Sequence, residues 1–321
     1  MQCGILLLFF GFLITCHGYQ VFEKDCMGTK FIVLIDEDDK KKAEEGALAA
    51  FKEGQRLNMV LSDYESASEL FRFSESSGSG VKFTLSEDLF KVLSHGQELS
   101  GQTNGSFDVT VGPFSRLWRI ARLRKKMPST EKLTSAKNRV GYQNLLLSAK
   151  NRTGSLTTSG MVLDLGGIAK GYAADMMLQT LRKKGLERCM IDAGGDLVMG
   201  SPPRGEKGWR VKIGGRKHPD LPTLHLSDVA VATSGDLEQF VHLNGKRYSH
   251  LIDPVSGLGL TSQCQVTVIA PSGMEADSLA SACLVLGLPK SKTLLEGKDG
   301  ASAYYLRKDD AGTNCTKIGM D

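Results

Sequence analysis

The chain alternates between short continuous apolar runs and longer stretches in which apolar residues return every three or four positions. Lys30 to Ile35 is a β-prone apolar run and predicts a strand. In Lys40 to Leu61, Ala43, Ala47, Ala50, Phe51 and Leu57 fall at near-helical spacing, which predicts a long helix. Ser74 to Gly80 reads as a loop. Leu85 to Leu93 predicts a helix with Ser86 or Thr84 near its cap. Arg116 to Lys126 interleaves Leu117, Trp118, Ile120 and Leu123 with basic residues. It predicts a helix whose basic face meets solvent, a membrane surface or an acidic partner. From residue 155 the pattern mixes helix and strand. Leu163 opens a strand-to-helix turn, and Ile168 to Lys183 predicts an amphipathic helix. Strands are expected at Cys189 to Asp192, Leu197 to Met199, Trp209 to Ile213, Val229 to Thr233, Val266 to Ala270 and Ala303 to Leu306. Met274 to Leu286 predicts a helix with Ala276, Leu279, Ala280, Cys283 and Leu284 in one buried stripe. No repeat and no linker divides residues 19–321. The expected class is α+β: one composite domain, in one or two lobes, with mixed sheets flanked by helices.

Composition narrows the function. A chain of 321 residues that is 41% hydrophobic can bury a sizeable core without staples. Lys plus Arg is 40 against 36 for Asp plus Glu, and a net charge of +4 gives no field of the strength a nucleic-acid binder uses. The same composition excludes a disordered chain, a coiled coil and a polytopic membrane protein. The apolar run Gly4 to Ile14 is shorter than the roughly 20 residues that span a bilayer. It reads as the core of an export signal covering residues 1–18. Leu13-Ile14-Thr15-Cys16 resembles a bacterial lipobox, which would make Cys16 a lipid attachment point. The expected location is the periplasm or the periplasmic face of the inner membrane, with a lipid anchor if Cys16 is modified. Of the 7 cysteines none form a CxxC pair, and Cys189, Cys264 and Cys283 lie in apolar runs as core residues.

Three segments carry chemistry. In Asp164 to Tyr172 a carboxylate ends a strand, Gly166-Gly167 turns the chain and a helix begins with Lys170 in its first turn. Backbone N–H groups at such a start can face a phosphate, although the spacing fits neither a P-loop nor a dinucleotide fingerprint. Asp277 and Ser281 stand four apart on one helix flank and offer hard oxygens suited to Mg²⁺. His250 precedes Asp253-Pro254, and its imidazole can accept a proton near neutral pH. Each also has a plain structural reading: a tight turn, a polar helix flank, a single hydrogen bond. Thr233-Ser234-Gly235-Asp236 lacks the nucleophile-elbow spacing of a serine hydrolase.

Taken together and in order, these segments closely resemble the ApbE family, the FAD:protein FMN transferases, over about residues 26 to 307. The resemblance rests on Met27-Gly28-Thr29; Thr103 to Asp108 with Val111-Gly112-Pro113; Asp164 to Tyr172; Thr233 to Asp236 with His250 to Gly257; and Glu275 to Ser281. It implies Mg²⁺-dependent transfer of FMN from FAD to a Thr or Ser hydroxyl of an acceptor protein, with release of AMP. The implied FAD contacts are Met27, Tyr64, Ser106, Phe107, Asp108, Asp164, Lys170 and Leu251. The implied Mg²⁺ ligands are the side chains of Asp277 and Ser281 and the carbonyls of Gly167 and Ala280. His250 is the implied general base. Ser281 stands where the family more often has Thr, which keeps the hydroxyl but loses a rotamer-stiffening methyl. Family acceptors resemble subunits of membrane redox pumps. The alternatives are an FAD pyrophosphatase releasing free FMN and AMP, and a non-catalytic flavin-binding envelope protein.

Overall fold

The computed structural model describes residues 6–9, 12–15, 18–215, 218–235, 240–309 and 312–319. Cys16 and half of the leader reading lie outside the described residues, as does Asp236. Leu6–Phe9 pairs antiparallel with Phe12–Thr15. No helix among the described residues is long and apolar enough to cross a membrane.

The frame is an eight-stranded sheet: β1 (Gln20–Cys26), β2 (Thr29–Ile35), β3 (Cys189–Ala193), β4 (Leu197–Met199), β5 (Ala230–Gly235), β6 (Cys264–Ala270), β7 (Ser302–Asp309) and β8 (Gly312–Ile318). Within this sheet the strands stand in chain order. The α+β expectation holds, but every ladder of this sheet is antiparallel where mixed sheets were expected. The connections explain it. β1 and β2 are joined by Met27-Gly28, with φ of 50° and 75°. That two-residue primed turn matches the twist of a hairpin.

Eight helices are described: α1 (Lys40–Leu61), α2 (Glu69–Glu75), α3 (Glu87–Gln102), α4 (Gly112–Arg124), α5 (Thr130–Lys137), α6 (Ala169–Arg182), α7 (Gly273–Leu286) and α8 (Leu288–Glu296). Asp39 caps α1 by accepting from Lys42 N at 3.1 Å, and Ser86 caps α3 by accepting from Leu89 N at 3.2 Å. The insertion between β2 and β3 holds α1 to α6 and a small sheet of Phe83–Thr84, Thr153–Leu156 and Leu145–Ser148. One buried cluster runs from the large sheet through this insertion.

The apolar run of β2 is buried on both faces, which is why it does not alternate. Phe31, Val33 and Ile35 enter the core under the helices. Ile32 and Leu34 enter a second core on the opposite face. That face is covered by the ribbon of Trp209–Lys212 and Thr223–Leu226. Trp209 to Ile213 is thus a strand as expected, but outside the large sheet. The expected single stripe on α7 is also too narrow, since every residue from Ala276 to Leu284 is buried. This helix lies between the sheet, α6 and α8, and has no solvent face to keep polar.

Helices α6 and α7 meet at two glycines. A Cβ on Gly171 would stand 2.0 Å from the carbonyl oxygen of Gly273, and one on Gly273 would stand 2.4 Å from that of Gly171. Each helix then supplies a carboxylate to the start of the other. Asp175 on α6 accepts from Gly273 N at 2.6 Å and Met274 N at 2.9 Å. Asp277 on α7 accepts from Gly171 N at 3.1 Å. First-turn N–H groups that lack intrahelical partners are satisfied across the interface. Gly171→Ala is therefore expected to cost about 1–3 kcal/mol by overpacking. Gly101→Ala, in the last turn of α3 with nothing within 4 Å of its Cβ, should leave stability unchanged or slightly raised. Urea unfolding of both variants tests this, and equal midpoints would mean that the glycine contact is not tight.

Candidate functional site

Beside the α6–α7 contact lies a cleft of about 250 Å³. Its walls include Tyr64, Ser106, Phe107, Asp108, Asp164, Gly167, His250, Leu251 and Ser281, which the sequence singled out from distant segments. Lys170, Asp277, Ala280 and Met27 do not line it. Lys170 and Asp277 sit just behind the Gly167–Ser281 wall. Met27 occupies the β1–β2 turn, at the sheet end where Thr29 abuts Gly194.

Asp164 is fixed by its own turn. Its backbone N donates to Val109 O at 2.8 Å, and its carboxylate accepts from Gly166 N at 2.8 Å. The other carboxylate oxygen faces Arg119 at 3.4 Å. Arg119 also pairs with Asp63 at 2.7 Å and lies over the Tyr64 ring, 4.0 Å from its centroid. Tyr64 is otherwise 72% exposed, so this stacking is what holds it at the cleft. Arg119 and Arg122 both line the cleft. Burial weakens the hold of Arg122 on its proton, which is the electrostatic signature of a guanidinium kept out of bulk water. Sequence reasoning gave these arginines to a basic face meeting solvent, a membrane surface or an acidic partner, not to a cleft. Their spacing of three on α4, one helical turn, was the available signal.

The His250 wall is tied down from two sides. Ser249, fully buried, accepts from Leu251 N at 3.0 Å and donates its own N–H to Leu260 O at 2.7 Å. The indole of Trp118 on α4 donates to Gly257 O at 2.8 Å. A Cβ on Gly257 would stand 2.3 Å from the Phe114 ring, and its φ is 72°, so glycine is required there. Helix α4 thus fixes the loop bearing His250 and carries the two cleft arginines.

Behind the cleft is a buried charge cluster. The Lys170 ammonium is hydrogen-bonded to Asp196 and stands 3.8 Å from Asp277. Burial alone would lower the Lys170 pKa, but Asp196 and Asp277 outweigh it and keep the ammonium charged. Burial pushes the Asp277 carboxyl up to about 7, against the pull of Lys170. Asp196 was not singled out from sequence. It follows the Gly194-Gly195 turn between β3 and β4, and an acid after paired glycines was the clue. Ser281 shares a hydrogen bond of 3.1 Å with Ser234. It also faces Gly167, where a Cβ would stand 2.8 Å from its hydroxyl oxygen.

Asp108 lines the cleft and is also saturated by donors of its own neighbourhood. It is 7% exposed and accepts from Thr110 N at 2.7 Å, Thr110 Oγ1 at 2.7 Å and Tyr142 N at 2.9 Å. Its carboxylate braces the cleft floor. Asp108→Ala should therefore lower the stability of the ligand-free protein by about 1–3 kcal/mol, the cost of orphaned buried donors. An unchanged urea midpoint without flavin would return Asp108 to a pure binding role.

The ApbE family model matches residues 27–305. The chain is 32% identical over 273 residues to the FAD:protein FMN transferase of Treponema pallidum (strain Nichols), covering 79% of this chain and 75% of that protein. It is 29% identical over 306 residues to the enzyme of the same name from Haemophilus influenzae, covering 89% and 86%. The solved structure of the flavin transferase ApbE from Vibrio cholerae superposes with a TM-score of 0.81 at 28% identity, covering 94% of this chain and 97% of that one. The apo flavinyl transferase ApbE from Pseudomonas stutzeri gives a TM-score of 0.81 at 27% identity, covering 98% and 97%. By its sequence match and by its fold, the chain belongs to the ApbE family.

Proposed function

We propose that this protein is an FAD:protein FMN transferase, which moves FMN from FAD onto a Ser or Thr hydroxyl of an acceptor protein and releases AMP. One observation carries the reading. A single cleft brings His250, Ser281, the Gly166–Gly167 turn and two arginines together from separate parts of the chain. Relatives of that name share the fold around it.

The chemistry follows from the placement. The acceptor oxygen attacks the phosphorus on the FMN side of the pyrophosphate. The bond from that phosphorus to the bridging oxygen breaks, and AMP leaves with the oxygen and its electron pair. His250 takes the hydroxyl proton, a contribution of about 10²–10⁴-fold. The start of α6 opens on the cleft through Gly166 and Gly167, so its positive end faces the pyrophosphate. Arg122 adds a guanidinium on the same side.

The donor set suits a hard divalent cation. Asp277 and Ser281 offer a carboxylate and a hydroxyl, and Gly167 and Ala280 offer carbonyls. Lys170 lies between two carboxylates, Asp196 and Asp277, only 5% and 3% exposed, so the buried cluster lacks one positive charge. Mg²⁺ bound there would neutralise charge on the pyrophosphate as its bond breaks. The apolar run 4–14 followed by Cys16 supports an exported, lipid-anchored form of this enzyme on the periplasmic face of the inner membrane.

The test combines the chain with FAD, Mg²⁺ and a candidate acceptor, a redox-pump subunit bearing a Ser/Thr motif. One FMN added per acceptor, with matching AMP, is expected. His250→Ala should keep FAD binding and lose transfer, and Asp277→Ala should lose both transfer and its Mg²⁺ dependence. Free FMN and AMP without a mass gain would make the protein a hydrolase instead. For location, expression of the full chain in a bacterial host with a radiolabelled fatty acid should label the wild type and not Cys16→Ser. An unlabelled wild type would remove the anchor.

A further inference from the structure

A second recess, of about 630 Å³, adjoins the cleft and is not used by the chemistry above. One wall is a face of α8. Lys290, Thr293 and Leu294 point into it, while Ser291 and Leu295 on the other side are buried. Lys298 follows just after the helix. The facing wall is the loop after α3, where Asn104 and Gly105 have φ of 50° and 79° and turn the chain sharply. The recess and the cleft share a border. Ser106 lines both. Pro254 lines the cleft and Val255, 57% exposed, lines the recess. Val285 and Leu286 divide in the same way.

The lining chemistry is specific in one respect. Two lysines border the recess and no carboxylate does. Lys290 and Lys298 stand in no ion pair of 4.0 Å or less among the described residues, and Lys298 also lies near enough to Glu275 to favour its ionised form. The rest is hydroxyl, amide and aliphatic surface, which suits a peptide backbone better than one rigid small molecule. The transfer needs a hydroxyl that arrives on another protein. A polypeptide must therefore enter the cleft from an open side, and the Ser106–Val255 border is such a side.

We propose that this recess is the docking track for the acceptor, which lies along α8 as an extended segment. Acidic side chains beside the modified Ser or Thr meet Lys290 and Lys298, and the hydroxyl crosses the Ser106–Val255 border to reach His250. This rests on the transferase reading and adds the partner's chemistry to it.

The experiment uses the full chain with FAD, Mg²⁺ and a pool of short peptides that have one fixed central Thr and randomised flanks. Peptides that gain FMN are sequenced by mass spectrometry. The wild type should enrich Asp and Glu on one side of the Thr, by about two- to fivefold per charge as expected for a partly exposed pair. The double variant Lys290→Glu/Lys298→Glu should reverse the preference towards Lys and Arg and leave the KM for FAD unchanged. Lys290 is exposed and Lys298 half-buried near Glu275, so circular dichroism checks the fold and the single variant Lys290→Glu, expected to weaken the acidic preference, keeps the test open. Labelled peptides without acidic enrichment, or with enrichment unchanged in the variant, overturn the track alone. A raised KM for FAD in the variant assigns the recess to the flavin and also overturns it. Turnover of FAD with no labelled peptide from either protein sinks the transfer reading, and the track with it.

Discussion

The close approach of α6 and α7 is the constraint on which the site depends. Two glycines face each other where any Cβ would collide with a backbone carbonyl. Only at that distance can Asp175 reach the first N–H groups of α7 and Asp277 reach Gly171 N. The exchange satisfies donors that a helix start leaves without partners. It also sets a carboxylate against the positive end of each helix, which partly offsets the burial that raises Asp175 to about 6 and Asp277 to about 7. One contact thereby fixes the helices, the carboxylate and the lysine beside it.

The opposite wall is built on a different principle. Helix α4 buries Phe114, Trp118 and Ala121 along one face, with Phe114 and Trp118 fully buried. They lock the loop that bears His250, through an indole hydrogen bond and a glycine that fits against a ring. The same helix presents Arg119 to two carboxylates and a tyrosine. The cleft is thus framed by side chains held at both ends, which limits the reorganisation needed when a charged substrate enters.

Much of the fold was legible. The run Lys30 to Ile35 became β2, and Lys40 to Leu61 became α1 with the same ends, because Asp39 caps the first turn. The site segments were legible as a set, since a Gly-Gly turn after a carboxylate and an Asp–Ser pair one helical turn apart are local patterns. What stayed hidden was long-range. β1, β8 and the Phe240–Leu243/Lys246–Ser249 hairpin have short or polar-facing runs whose pairing only the sheet defines. The roles of Arg119, Asp196 and Asp108 depend on partners far away in the chain or on saturation of a carboxylate by neighbouring donors. Periodicity could not reveal either. The basic face of α4 was assigned to solvent, a membrane or an acidic partner because a sequence does not show that a second wall stands opposite.

The buried cluster shows how fold and chemistry are linked. A carboxyl whose pKa is raised in the folded state contributes stability below its unfolded pKa, and that contribution is lost as pH rises through the folded value. For Asp277 the window runs from its ordinary value of 3.8 to about 7. At neutral pH the cluster therefore carries a cost, with Lys170 shared between Asp196 and Asp277 and too little positive charge for both. Removing Lys170 would deepen that deficit, whereas a cation among the oxygens of Asp277 and Ser281 would relieve it. The charge deficit has one origin: a carboxylate that the glycine contact holds in place and water does not reach.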